Sequence, residues 1–193
     1  PLINHLSGSS AWKADIAIRK RNAEMVIESD LVGVSSPLPE PLNKTATMPI
    51  PLRVERSLPD ATREQYRITL GKVAQGIIVS RQSNWERGVF SVGETDLRLP
   101  EKGLVIRVAT PKIDADAWRN YLPDGGPGGE ATAGGGLALA LVALKTPSLH
   151  FMGRDYSQVD IGLRPRDNGW QIGLNTREAV GDVFWRSAGE GWV

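Results

Sequence analysis

The sequence predicts a mainly β protein: an antiparallel meander forming a curved, partly open sheet or a sandwich, with one short helix at about residues 114–122. Three observations carry this. Apolar residues recur at every second position in segment after segment, the period of a strand with one dry face and one wet face. The segments run about six to eight residues and are bounded by Gly, Asn, Asp and Pro, the lengths and punctuation of strands and turns. A single stretch carries helix-capping chemistry.

The first alternating pair spans Trp12 to Ser29. Trp12, Ala14, Ile16 and Ile18 alternate with Lys13, Asp15 and Arg19; after Lys20-Arg21-Asn22, the residues Ala23, Met25 and Ile27 alternate with Glu24 and Glu28. This is the pattern of a β-hairpin. Ser7-Gly8-Ser9-Ser10 before it reads as a turn. Residues 35–51 carry Pro37, Pro39, Pro41, Pro49 and Pro51, a density that excludes a central strand and most helices, so this is an ordered connector.

Leu52 and Val54 begin a further strand. A meander follows through Tyr66–Leu70, Val73–Ser80 and Trp85–Val92, and Leu104–Val108 adds a strand rich in β-branched residues. In PKIDADAWRNYL, Asp114 stands as N-cap with Ile113 and Trp118 spaced as a hydrophobic staple, giving a helix of about two turns from Ala115 to Tyr121. Pro123 to Gly136 reads as a flexible linker. Beyond it, Leu137–Lys145, Leu149–Met152, Val159–Leu163, Trp170–Leu174 and Val180–Arg186 form a second run of strands. Gly153-Arg154-Asp155 and Asp167-Asn168-Gly169 provide turns. The chain therefore divides into residues 1–122, a β meander ending in the short helix; 123–136, a glycine-rich linker or loop; and 137–193, a second β meander able to continue the same sheet.

Composition narrows the chemistry. With 23 basic and 22 acidic residues the net charge is +1, which gives no global electrostatic case for nucleic acid. The absence of cysteine removes disulfides, thiolate metal sites and thiol nucleophiles. His5 and His150 lie far apart and read as structural histidines, not ligands; Asp114 and Asp116 read as capping residues. The glycine-rich stretch lacks the Gly-Lys-Ser/Thr ending of a phosphate loop, and Ser9, Ser36, Ser80 and Ser187 have no nucleophile-elbow context. Arg19-Lys20-Arg21 and Arg164-Pro165-Arg166 read as solvated turns, and the six tryptophans as packing at strand ends. No enzyme constellation, cofactor site or metal site emerges, and no run is long enough to cross a bilayer.

Four stretches carry a resemblance: Ser-Gly-Ser-x-x-Trp from Ser7 to Trp12, SDLVGVSSPLPEPLNK from Ser29 to Lys44, PLRVER from Pro51 to Arg56, and GDVFWR from Gly181 to Arg186. In this combination the chain resembles the YhdP branch of the AsmA-like proteins of Gram-negative bacteria. The resemblance implies an internal segment of a periplasmic β-rich body. The body would be anchored to the inner membrane through residues outside this segment, and its partners would be phospholipid and the rest of the same polypeptide. It also implies a non-enzymatic role, an apolar groove shielding acyl chains on their way toward the outer membrane.

Within that picture the groove candidates are Ile16, Ile18, Met25, Ile27, Ile77, Val79, Val89 and Ile106. The competing expectation is a closed β-sandwich acting as a spacer or docking module, because alternation serves a sealed core equally well.

Overall fold

The computed structural model describes residues 2–19, 22–93, 96–121, 132–133, 136–166 and 169–186. The Lys20-Arg21 turn, Asp167-Asn168, Ser187, Trp192 and most of the glycine-rich stretch lie outside the described residues. A 3-10 helix, Leu2–His5, comes first. It is followed by strands β1 (Ser7–Gly8), β2 (Lys13–Arg19), β3 (Asn22–Ser29), β4 (Val34–Ser35), β5 (Leu52–Asp60), β6 (Arg63–Leu70), β7 (Ala74–Arg81) and β8 (Asn84–Val92). After β9 (Gly103–Ala109) and β10 (Lys112–Asp114) comes helix α1 (Ala115–Arg119), then β11 (Thr132–Ala133), β12 (Leu137–Phe151), β13 (Arg154–Arg166), β14 (Gly169–Asn175) and β15 (Val180–Arg186).

Among the described residues these strands form one 13-stranded sheet and a small two-stranded one, β1–β4. The main order is β15-β14-β13-β12-β9-β8-β7-β6-β5-β3-β2, with β10 and β11 attached to β12. The stretches on either side of the glycine-rich segment thus share one sheet, and its outer strands β2 and β15 are not joined to each other. The sheet is open, where a sandwich would lay a second large sheet across it.

Four details depart from the sequence expectation. The β8–β9, β9–β12 and β10–β12 pairs are parallel, so the meander is not antiparallel throughout. A parallel neighbour requires a crossover, and the chain between β8 and β9, described from Asp96 on, supplies one. The expected break at Thr146-Pro147 leaves β12 continuous over 15 residues. Pairing skips only the Pro147 and Gln158 positions, the register is the same on either side, and Gln158 takes a positive φ of 53° there. Helix α1 has five residues, capped as expected by Asp114, whose Oδ1 accepts from Ala117 N at 2.8 Å. Finally, Ser7-Gly8 is a strand: Gly8 and Gly33 pass so close that a Cβ on Gly8 would sit 2.0 Å from the Gly33 carbonyl oxygen, and both have φ of +97°.

Full burial is scarce. Among the described residues only Val89 and Ser91 fall below 2% exposure. The best-buried cluster, Ile77, Val79, Val89 and Val105, sits on one face of the sheet beneath Leu97 and Leu99 of the β8–β9 crossover. A second cluster, Ile113, Leu149 and Val159, is packed by Val108, Trp118, Leu144 and Ile161 on the other face.

Gly76 gives a local test of packing on that second face. Its partner across β7–β8 is Phe90, whose ring lies over the glycine so closely that an added Cβ would meet ring carbons at 2.4 Å. Valine normally favours strands, yet Gly76→Val is expected to lower stability by about 1–3 kcal/mol because the ring has to leave. Denaturant titration checks this. Gly76→Val in a Phe90→Ala background should lose less, and an unchanged midpoint in the single variant would contradict the stacked ring.

Candidate functional site: an apolar face across the sheet

In paired strands, residues directly opposite each other share a face. One row can therefore be followed strand by strand: Ala14, Ile27, Val54, Ile68, Gly76, Phe90, Ile106, Val142, Leu163, Ile172 and Val183. Every position in it is apolar or glycine. At a strand spacing of about 4.8 Å the row runs roughly 48 Å along the sheet.

Parallel rows flank it. On one side stand Leu52, Leu70, Ala74, Val92, Val108, Leu144, Ile161 and Leu174. On the other stand Ile16, Met25, Arg56, Tyr66, Ile78, Gly88 and Leu104, with Trp170 and Trp185 at the far end. The opposite face has a different composition: Lys13, Glu28, Arg53, Thr69, Gln75, Ser91 and Arg107 form its corresponding row. Lys13 and Glu28 pair at 2.7 Å, Arg53 also bonds Glu28, and Arg53 meets Glu55 at 2.8 Å.

The candidate residues divide between the faces. Ile16, Ile18, Met25, Ile27 and Ile106 lie on the apolar face; Ile16 and Ile18 are 69% and 79% exposed, and the other three are half-buried. Ile77, Val79 and Val89 lie on the opposite face and are sealed under the crossover at 6%, 3% and 0% exposure, so they are core residues and line no open surface. The physical reason is that Ile77-Ile78-Val79 is apolar on both sides, so alternation cannot say which residue faces where. Ile78 takes the position expected of its neighbours. Val54, Ile68, Phe90, Val142, Leu163, Ile172 and Val183 belong to the face too, and the signal for each was its place in an alternating strand, readable only once register is known.

One long side of the face is capped. Residues 30–50, the Leu2–His5 turn and α1 gather over the row containing Leu70 and Val108. They leave an apolar pocket of about 520 Å³ walled by Leu31, Val34, Leu38 and Leu42 and floored by Leu70, Val73 and Phe90. Polar contacts hold the connector in shape. Ser36 and Lys44 exchange backbone hydrogen bonds of 2.8 and 3.0 Å. The Lys44 ammonium, on a residue only 8% exposed, donates to the carbonyls of Leu31 and Val34 at 2.7 Å each and of Thr45 at 3.1 Å. Its three donors are thereby satisfied, which a buried ammonium requires. The SDLVGVSSPLPEPLNK stretch is thus the cap, and its terminal lysine ties it together.

Helix α1 docks on that cap through Trp118 Nε1, donating to Glu40 O at 3.2 Å, and just beyond its C-cap Tyr121 OH donates to Pro37 O at 3.0 Å. Its other anchor is Asp116, which accepts from Met152 N and Gly153 N at 2.9 Å each and is held below the usual carboxylate range by those bonds. His150 lies beside it, with Nδ1 2.8 Å from Asp155 Oδ1 and Nε2 3.7 Å from Asp116 Oδ2.

At the opposite side of the face, Arg56 Nη2 donates to Glu64 Oε1 at 2.5 Å and Nη1 to Ala23 O at 3.1 Å, while Tyr66 OH donates to Glu64 Oε2 at 2.9 Å. The bonds from Arg56, then Tyr66, hold the Glu64 carboxyl below its ordinary value. Trp85 stands edge-on to Tyr66, with ring centroids 5.7 Å apart. Among the described residues no group of three metal-ligating side chains is assembled, and no helix is long and apolar enough to cross a membrane.

A family model described as YhdP protein matches residues 1–192. No curated protein and no solved structure matches the chain.

The α1 anchor carries a pH dependence. The hydrogen bond to Asp155, helped by the charges of Asp114 and Asp116, raises the His150 pKa above its ordinary value. A raised pKa means the stabilisation is fully present below the unfolded value of about 6.5 and is lost as pH rises through the higher folded value. Wild type should therefore exceed His150→Gln in melting temperature most at pH of about 5.5, with the gap shrinking by about pH 8.5. Thermal melts of both across that range check it; a gap that widens with pH would contradict the assignment.

Proposed function

The chain belongs to the YhdP family, matched over residues 1–192, and from that premise we propose that its apolar face shields phospholipid acyl chains from water as they pass between membranes. The observation that carries this reading is the unbroken row from Ala14 to Val183 on an open sheet. Antiparallel sheets ordinarily cover a dry face with a second layer. Here the cap covers one flank and reaches the middle row at Phe90, whose ring covers the buried Gly76, while the other positions of that row stay half-buried or exposed. Each methylene moved from water onto such a wall gains about 0.8 kcal/mol. The contacts are non-directional, so a chain can slide along the row without breaking specific bonds.

In this role the protein holds and orients; it makes and breaks no covalent bond. The wall would operate in the periplasm, within a longer polypeptide that supplies the inner-membrane anchor. Ile16, Ile18, Met25, Ile27 and Ile106 are the expected wall residues from the sequence, joined by Val54, Ile68, Phe90, Val142, Leu163 and Ile172 of the same face.

The test is direct. The full-length protein is purified, extracted with organic solvent and its phospholipid quantified by mass spectrometry, in wild type, Ile106→Asp and Thr69→Asp. A carboxylate in hydrocarbon costs about 2.5–3.5 kcal/mol. Ile106→Asp should accordingly lose most of the lipid, and Thr69→Asp, on the opposite face, should keep it. Lipid-free wild type, or equal loss in both variants, would sink the reading.

A further inference from the structure

Across the three apolar rows and the Glu64–Ser80–Trp85 positions that border them, Arg56 and Glu64 are the only charged side chains among the described residues. They are bonded to each other, and each keeps an open side, at 24% and 35% side-chain exposure. Arg56 spends one N–H on Glu64 and one on Ala23 O, so further guanidinium N–H groups remain free to donate. Each Glu64 oxygen accepts one bond and keeps a lone pair. Tyr66 and Trp85 stand beside the pair, amphipathic rings where the apolar rows end.

Resting on the acyl-chain reading above, we propose that the Arg56–Glu64 pair is the headgroup contact of this face and that it selects zwitterionic phospholipid headgroups. The phosphate lies toward the Arg56 guanidinium and the headgroup cation toward the Glu64 carboxylate. The pair is neutral overall but strongly dipolar. A headgroup that carries phosphate and ammonium matches both ends; an anionic headgroup with no cation meets Arg56 but is repelled by Glu64, and the two contributions oppose each other. The nearest wall residues are Met25 and Tyr66, directly opposite Arg56 on either side, so a headgroup here leaves its chains lying on the apolar rows.

The experiment uses the full-length protein, stripped of lipid and incubated with vesicles of equal parts phosphatidylethanolamine and phosphatidylglycerol; bound lipid is then identified by mass spectrometry. Wild type is expected to enrich phosphatidylethanolamine roughly two- to five-fold over the vesicle ratio, the range that partly exposed charge contacts give. Glu64→Gln, which keeps one carbonyl oxygen to accept from Arg56 and presents an amide NH2 that the Tyr66 hydroxyl can accept from, should abolish the enrichment with total lipid unchanged. Arg56→Gln should reduce it as well, and unfolding midpoints verify that both variants fold. If wild type binds lipid at the vesicle ratio, or neither variant moves that ratio, the headgroup assignment is overturned while the acyl-chain reading stands. If wild type takes up no lipid, the acyl-chain reading fails and takes the assignment with it.

Discussion

Strand register is the constraint on which the rest depends. Side chains alternate with a period of two, so a slip of one residue at any strand would carry its apolar set to the charged face. Register holds across the main path, through parallel and antiparallel pairs alike, and keeps one position per strand apolar from Ala14 to Val183. The two faces help to pin it. On the charged side, the Lys13–Glu28–Arg53–Glu55 chain links β2, β3 and β5 in a single alignment. Exposed pairs of this kind add little to stability, but they penalise the slipped alternatives.

The tightest packing and the proposed lipid-facing surface lie on opposite sides of the sheet. The tightest core, around Val89, is formed on the charged side by the β8–β9 crossover. This lets the middle of the apolar side stay uncovered without unfolding the protein. Parallel pairing is what makes the arrangement possible, since only a crossover brings Leu97 and Leu99 over Val89 and Val105. The cap serves a different purpose. Tied by Lys44 and joined to α1 and the residues after it through Trp118 and Tyr121, it closes one flank of the apolar face and meets the middle row at Phe90.

Much of this was legible in the residues. Alternation placed the strands of the main path, though not the short β1, β4, β10 and β11; Asp114 announced the helix, and the Ser29–Lys44 stretch pointed to the family. What could not be read was side and partner. In Ile77-Ile78-Val79 both faces are apolar because the strand is covered by the crossover on one side and lines the wall on the other. Alternation then carries no information, and Ile77 and Val79 were placed on the wall side. Val89 failed for the same reason: it stands beside Phe90, so both phases of its strand carry an apolar residue there, and which one faces the wall is settled only by register with β7 and β9. The parallel pairs were hidden because a crossover of irregular residues resembles a loop in a meander. Arg56 and Glu64 passed unnoticed because charges are ordinary in exposed strands; they become unusual only when the rest of their face is known to be apolar.

The central claim, that one face of this sheet contacts lipid and the other does not, is tested most directly with photo-crosslinking side chains introduced into the full-length protein in cells, one position at a time. Neighbouring residues on three widely spaced strands form the pairs: Ile27 with Val26, Ile68 with Arg67, and Ile172 with Gln171. Phospholipid adducts are expected at Ile27, Ile68 and Ile172 and none at Val26, Arg67 and Gln171. Equal labelling of both members of each pair, or adducts at the apolar positions that consist of protein alone, would contradict that claim.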